Sequence, residues 1–480
     1  MSIPPIEYSF MLIRSLRLLA GASGAVLLAR AILGPFHLIA TVYNPLTAAS
    51  VFGCAWMAAI ALRTGPVMPA KTTAPRWLIA AVLAAVVLTF ARAAPYFFIS
   101  DDYFVLQHSR EFTLSHIPYI LTHSTDATFF RPIGDLSWYL DYRISGTHPV
   151  RWHAVELAVH TLNCVLVYLL LNDLFANRRI AMWAAAFFGL HPANVEAVCY
   201  IGGGQQILFA GLFLLASLLL FARYCRNPAT GILTASLVAA WLALWSKESA
   251  FVLPLLAAMI AWRTKTTLRR TVPYWILTAA AFIYRWMLVG GLGGYRETHA
   301  TWFGIVKVLA VRLWAILLVP INWSTPIEIY AWIGLAAGIA GYLLLTGSKP
   351  AREDAVFAVA WLVVCALPGI QMLLVGANML NSRLLYLSTI GFGLLLACCL
   401  DTLPRVRGAA GLALAAFFIT AVQHDLTIWR DVTELARQTC SAAAASDAAM
   451  KPAGEKNGVW FFANGFADCI ALQRQGAFPK

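Results

Sequence analysis

Two adjacent carboxylates, Asp101-Asp102, are the residues of this sequence best placed to do chemistry. They follow the apolar stretch 77–98 directly and sit beside Tyr96, Phe97, Phe98 and Tyr103. A carboxylate partly withdrawn from water among aromatic rings is a better proton acceptor than one in bulk solvent. Ionisable groups kept at a membrane edge are costly and point to function. Asp101 or Asp102 is therefore the candidate general base. Cations able to neutralise a departing phosphate recur downstream: Arg131 in Phe129-Phe130-Arg131-Pro132, Lys247 beside Glu248, Arg285 inside an apolar run, and Arg383 shortly before Tyr386. A guanidinium matches two phosphate oxygens at once. Plainer readings stand beside this one: Arg131 as a cation snorkelling to the interface, and Lys247-Glu248 as a self-compensated pair. Arg285 is harder to dismiss, because a buried arginine is costly and needs an anionic partner. A base with several cations around one cavity suits transfer from a phosphate leaving group.

A second group is a polar stripe. His153, Glu156, His160 and Asn163 fall at intervals of three and four, on one face of a helix predicted over 152–175. The spacing resembles a metal-binding helix, yet zinc sites need a further ligand. The alternative is a hydrogen-bonded stripe facing the bundle interior. No metal or other cofactor is assigned, and a divalent ion stays open. His191-Pro192-Ala193-Asn194-Val195-Glu196, followed by Gly202-Gly203-Gly204, suits a backbone bent around a ligand. The histidines and glutamates of these motifs, with Glu248 and Tyr386, are candidate substrate contacts. Arg110, Glu111 and Asp126 read as solvated loop charges.

The elements that must position these residues are membrane helices. The chain of 480 residues is 60% hydrophobic and only 12% charged, with a mean hydropathy of +0.72. Soluble domains carry about 25% charged residues, so this is an integral membrane protein. The net charge of +13 lies in short clusters between apolar runs, such as Arg178-Arg179 and Arg263 with Lys265, Arg269 and Arg270. No contiguous basic soluble face exists, which excludes a nucleic-acid partner. Runs of about twenty apolar residues predict spans over 77–98, 152–175, 180–198, 205–223, 230–246, 249–262, 272–289, 328–346, 355–375, 384–400 and 408–424, preceded by 10–34 and 40–62. The fold class is thus an all-α polytopic bundle of roughly 11–13 transmembrane helices. Placing the basic clusters in the cytoplasm makes the spans alternate, provided 303–319 does not cross. Asp101-Asp102, the turn from His191 to Glu196, Lys247-Glu248 and Arg383 then share the opposite side.

Three regions follow. Residues 1–76 are extra helices or a mis-assigned start, Met68 being a plausible shorter one. Residues 77–424 form the catalytic membrane domain, with an acidic outward loop over 99–151. Residues 425–480 form a short periplasmic tail, in which Cys440 and Cys469 could pair in an oxidising compartment.

The order of motifs resembles the GT-C superfamily of membrane glycosyltransferases, above all the transmembrane and tetratricopeptide-repeat O-mannosyltransferases and their bacterial relatives. The residues that carry the resemblance are an apolar helix ending in Asp101-Asp102, then Phe130-Arg131-Pro132, the stripe from His153 to Asn163, His191 to Glu196, Trp245 to Ser249, and Asn381 to Ser388. It covers roughly residues 77–435. The resemblance implies an inverting glycosyltransferase with a polyprenyl-phosphate sugar as donor and a glycan, lipopolysaccharide or exported protein as acceptor. It implies a multi-pass protein of the bacterial inner membrane with a periplasmic active site. Asp101 or Asp102 would be the base, and Arg131, Lys247 and Arg383 would contact the lipid phosphate. The sequence departs from the family in lacking a tetratricopeptide array after 424, in its glycine triplet, and in its N-terminal apolar stretches. Rival readings are a flippase or transporter of lipid-linked glycans, which predicts repeat-related halves, and a glycan polymerase or ligase with a pyrophosphate-linked donor.

Overall fold

The computed structural model describes residues 77–124, 129–291, 313–318, 320, 349–368, 378–403, 405–446 and 452–478. The expected spans 10–34, 40–62 and 328–346, the alternative start at Met68, Asp126 and most of 303–319 lie outside the described residues.

Helices follow in the order α1 (Trp77–Phe90), α2 (Asp101–Glu111), α3 (Ile117–Thr122), α4 (Pro132–Ser145), α5 (Pro149–Phe175), α6 (Arg178–Gly189), α7 (Val195–Cys199), α8 (Ile201–Arg226), α9 (Thr230–Leu244), α10 (Leu253–Arg263), α11 (Val272–Val289), α12 (Leu313–Leu318), α13 (Lys349–Ala366), α14 (Ser388–Asp401), α15 (Arg407–Ala445) and α16 (Phe466–Arg474). Between α15 and α16 lies a short antiparallel hairpin, β1 (Glu455–Lys456) and β2 (Val459–Trp460), with Glu455 opposite Trp460. The fold is nearly all-helical, and α5, α8, α15 and the stretch Leu268–Val289 that contains α11 are long and apolar enough to cross a bilayer. The protein is a multi-pass membrane protein.

Local sequence explains the boundaries. Pro132, Pro149, Pro254 and Pro273 sit in the first turns of α4, α5, α10 and α11, where a missing N–H costs nothing. The Asn177 side chain accepts from the amides of Arg179 and Ile180 at 3.1 and 3.3 Å and so caps α6. The run 77–98 does not continue as one helix. It leaves α1 through the turn Ala91–Ala93, and Pro95 cannot donate the hydrogen bond a longer helix would need. The acidic segment after it is not an open loop but folds as α2, α3 and α4.

Packing relies on small residues, as expected where lipid tails compete with side chains for apolar contact. A Cβ on Gly391 would lie 2.6 Å from the Ala358 carbonyl oxygen, and one on Gly393 would lie 2.8 Å from that of Ala184. Helix α14 is therefore wedged backbone to backbone between α13 and α6.

Charged residues gather at the two ends of the bundle. One end holds the α5–α6, α8–α9, α10–α11 and α14–α15 connections, tied by Arg179–Asp401 at 3.4 Å, Arg223–Asp173 at 3.2 Å and Arg263–Asp354 at 2.7 Å. The other holds α2, α7 and the turns that precede α8, α10 and α14. Helix α15 runs from the first end past the second as a single element of 39 residues, about 58 Å long. The expected span 408–424 and the tail helix after it are thus continuous. Hydrocarbon is about 30 Å thick, so α15 is longer than one crossing requires, and its outer half buries Val432, Ala436 and Cys440.

Candidate functional site

The end opposite the basic connections carries the candidate site, and its two aspartates have different environments. Asp102 is 1% exposed. Its Oδ2 accepts from the Ile99 amide at 3.0 Å and its Oδ1 from the Gly202 amide at 2.7 Å. It thereby ties the start of α2 to the first turn of α8. Burial pushes its carboxyl well above the usual range, against the pull of those two N–H groups. Asp101 is half-buried, and the Asn464 side-chain amide donates to its Oδ1 at 3.0 Å. Gly202 packs against both: a Cβ there would lie 2.8 Å from the Asp101 Cβ and 3.1 Å from the Asp102 nitrogen.

The cations form two adjoining groups. Arg131 directs Nε and Nη2 at Glu248, with Nη2 2.7 Å from Oε2, and donates from Nη1 to the Gln206 side chain at 2.9 Å. The Phe129 ring centroid lies 4.0 Å from its guanidinium carbon. Arg285 reaches the same Glu248 at 3.3 Å. Although burial alone would push Glu248 up, Arg131, Lys247 and Arg285 hold its carboxyl down at about 2. Glu248 is therefore the shared anion of two arginines, not the self-contained partner of Lys247, and Arg131 is locked in a fork instead of snorkelling. In the second group, Arg383 pairs with Glu196 through its guanidinium, and its backbone amide donates to the same carboxylate at 3.0 Å. Its guanidinium carbon sits 5.2 Å from the Tyr200 ring centroid.

Lys247 lies between the groups. It is 8% exposed, and among the described residues its side-chain ammonium has no hydrogen bond and no ion pair. Burial pushes its ammonium well below the usual lysine range; Arg131 and Arg383 add to that, while Glu248 and Glu196 oppose it. A buried ammonium lacking a direct anion is an incomplete arrangement that an anionic ligand would complete.

The polar stripe of α5 faces inward, with His153, Glu156, His160 and Asn163 all buried. His153 Nε2 meets the Tyr96 carbonyl at 3.1 Å. His160 meets the Tyr386 hydroxyl at 2.8 Å and the Gly189 carbonyl at 3.0 Å, and Asn163 donates to that hydroxyl at 2.9 Å. His191 meets the Leu317 carbonyl at 3.1 Å and caps the turn Pro192–Asn194. The three histidines and Tyr386 thus pin helices together beneath the site. Glu156 differs from the hydrogen-bonded stripe expected: neither of its oxygens has a partner among the described residues. Among the described residues, no three His, Cys, Asp or Glu side chains converge as a metal would require. The glycine triplet does not bend around a ligand but opens α8, with Gly203 against the Tyr200 ring and Gly204 against the Ala197 carbonyl.

Several contributors carry weak sequence signals. Gln205 and Gln206 are consecutive amides in an otherwise apolar helix, a legible oddity; they reach Asp141 and Asp135 respectively. Asn464 has no signal at all. Cys440 and Cys469 are joined as a disulfide, with Cα atoms 6.0 Å apart, which ties α16 to the outer half of α15.

No family model matches the chain. Parts of it are similar to Protein O-mannosyl-transferase TMTC1 from Mus musculus, 38% identical over 99 residues, which is 20% of this chain and 10% of that protein. Protein O-mannosyl-transferase Tmtc1 from Drosophila melanogaster is 32% identical over 130 residues, covering 27% and 15% of the two chains. Protein O-mannosyl-transferase TMTC4 from Homo sapiens is 26% identical over 184 residues, covering 33% and 24%. The matched segments span less than a quarter of the length of these relatives. The chain is a distant and partial homologue of the TMTC protein O-mannosyltransferases, membrane glycosyltransferases of the GT-C type.

Proposed function

We propose that this protein is an inverting membrane glycosyltransferase. It takes a sugar from a polyprenyl-phosphate donor and passes it to an acceptor hydroxyl on the extracytoplasmic face of a bacterial inner membrane. The observation that carries this reading is Lys247, a buried cation without a direct anion, at the same end of the bundle as the half-buried Asp101. The relatives, named as protein O-mannosyl-transferases, favour mannose as the sugar and protein as the acceptor. Residues 77–424 would be the catalytic domain, with the segment after 425 on the same outer side.

In the reaction, Asp101 accepts the proton of the acceptor hydroxyl while that oxygen bonds to the anomeric carbon. The bond from that carbon to the phosphate oxygen breaks on the opposite face, and the electron pair leaves with the polyprenyl phosphate. Lys247 meets the negative charge that grows there. Arg131 and Arg285 share the single charge of Glu248 and Arg383 pairs with Glu196, and these groups orient the lipid headgroup beside the lysine. Asp102 is occupied by two backbone amides and serves as the anchor for its neighbour.

The test is direct. Purified protein in nanodiscs is given undecaprenyl-phosphate mannose and a Ser/Thr-rich peptide, and glycopeptide and released undecaprenyl phosphate are measured. The expected result is both products in equal amounts from the native chain and neither from Asp101→Asn. Movement of the intact lipid without a new glycosidic bond would overturn the proposal in favour of a flippase.

A further inference from the structure

The segment 452–478 is far from Asp101 in sequence yet packs directly on the turn that presents it. Ser100 has φ 47° and ψ −120°, a region unfavourable for a residue with a Cβ, and such geometry persists only where surroundings enforce it. Here the enforcing contacts come from that segment. The Ser100 amide donates to the Phe461 carbonyl at 3.1 Å. Gly465, at φ +75°, lies so close to Ser100 that a Cβ would sit 2.2 Å from its carbonyl oxygen. The Phe462 ring stacks on Tyr103 at 5.9 Å, and Phe478 contacts Phe97, Phe98 and Tyr103 at 5.1–6.2 Å. The segment is itself pinned to α15 by the disulfide between Cys440 and Cys469. Its one polar side chain donating to the reactive pair is Asn464, at 3.0 Å from Asp101 Oδ1.

We infer that Asn464 is a positioning residue for Asp101 and that the disulfide-pinned segment 452–478 is the clamp that delivers it. The inference rests on the reading of Asp101 as the base. The Asn464 amide donating to Oδ1, together with the Tyr200 hydroxyl that also bonds to this carboxyl group, fixes the rotation of the group. The enforced turn at Ser100 fixes the direction of the Cα–Cβ bond from which that group hangs. Reducing the disulfide releases the far end of the clamp, so both constraints weaken together.

Three variants test this in nanodiscs with undecaprenyl-phosphate mannose and a Ser/Thr-rich peptide. Asn464→Leu removes the donor from an exposed position at nearly constant size; kcat should fall about tenfold or more while the donor KM stays within about twofold. Asn464→Gln, which keeps an amide, should recover most of the loss. Cys440→Ser with Cys469→Ser should lower kcat in the same way and speed hydrogen exchange of the Ser100 amide. Asp101→Asn is the reference. If Asp101→Asn is inactive while Asn464→Leu and the double serine variant keep the native kcat, the clamp is refuted and the base stands. If Asp101→Asn keeps full activity, the base assignment falls and the clamp falls with it.

Discussion

The Asp102 carboxylate and the Gly202 amide meet at 2.7 Å across 100 positions of sequence. This contact makes the two neighbouring aspartates unequal, because one is consumed as a tether while the other stays half-buried beside it. Substitutions at the two positions should therefore fail in different ways. Asp101→Asn should lower turnover by about 10²–10⁴-fold, the usual contribution of a positioned base, with little change in thermal stability. Asp102→Asn presents an NH₂ group to an amide that needs an acceptor, and should cost on the order of 1–3 kcal/mol. Melting in detergent followed by tryptophan fluorescence separates the two, and equal melting temperatures with equal activity loss would contradict the division.

Glu248 and its neighbour Lys247 make an opposite pair of predictions. Glu248→Gln leaves the buried Arg285 and the part-buried Arg131 without their shared anion, and breaking such a site costs up to about 3–5 kcal/mol. Lys247→Met removes a buried cation that has no direct anion, so the empty protein should be equally or more stable while donor affinity drops at least tenfold. Thermal melts with and without undecaprenyl phosphate measure both. A lysine variant that loses stability but keeps donor affinity would count against a phosphate role.

Asp141 gives the stability of the protein a pH dependence. Burial in α4 raises its carboxyl from 3.8 to about 7, against hydrogen bonds from Ser145 and Gln205. A folded-state value above the unfolded one means that the native state holds the proton more tightly. The contribution is complete below the unfolded value of 3.8 and is lost as pH rises through about 7. The native protein should thus lose stability as pH rises from 3.8 to about 7, and Asp141→Asn should flatten that part of the curve. An unchanged slope in the variant would assign the dependence elsewhere.

The wedge around α14 predicts a purely structural failure. Gly391→Leu or Gly393→Leu inserts a side chain where less than 3 Å separates a Cβ from a neighbouring backbone. Overpacking of this kind costs typically 1–3 kcal/mol or more where backbone must move. Size-exclusion profiles and melting temperatures should deteriorate in both variants, while Gly408→Leu, at an open position, should behave as the native chain.

Much of the architecture is legible because hydrophobicity alone decides it. The run 272–289 coincides with α11, where a proline opens the helix and Gly290 closes it in a left-handed turn. Periodicity also puts the polar residues of α5 on one buried face. Legibility stops where tertiary pairing begins. Lys247 and Glu248 are adjacent in sequence, yet the carboxylate turns to Arg131 and Arg285, because direction across a turn depends on the packing of α9, α10 and α11. The end of α1 depends on Pro95 and not on the apolar run that continues past it. The contacts of Asp101 are least legible of all, since no pattern links it to an asparagine in a short turn beyond the last apolar helix.

That asparagine lies 363 positions after the carboxylate it touches. A ribosome therefore makes Asp101 early and Asn464 only after the helices α1 to α15 have been synthesised. A nascent chain carries the acid long before it carries this amide. If Asn464 aims Asp101 as inferred, a chain interrupted before residue 464 would insert without that contact.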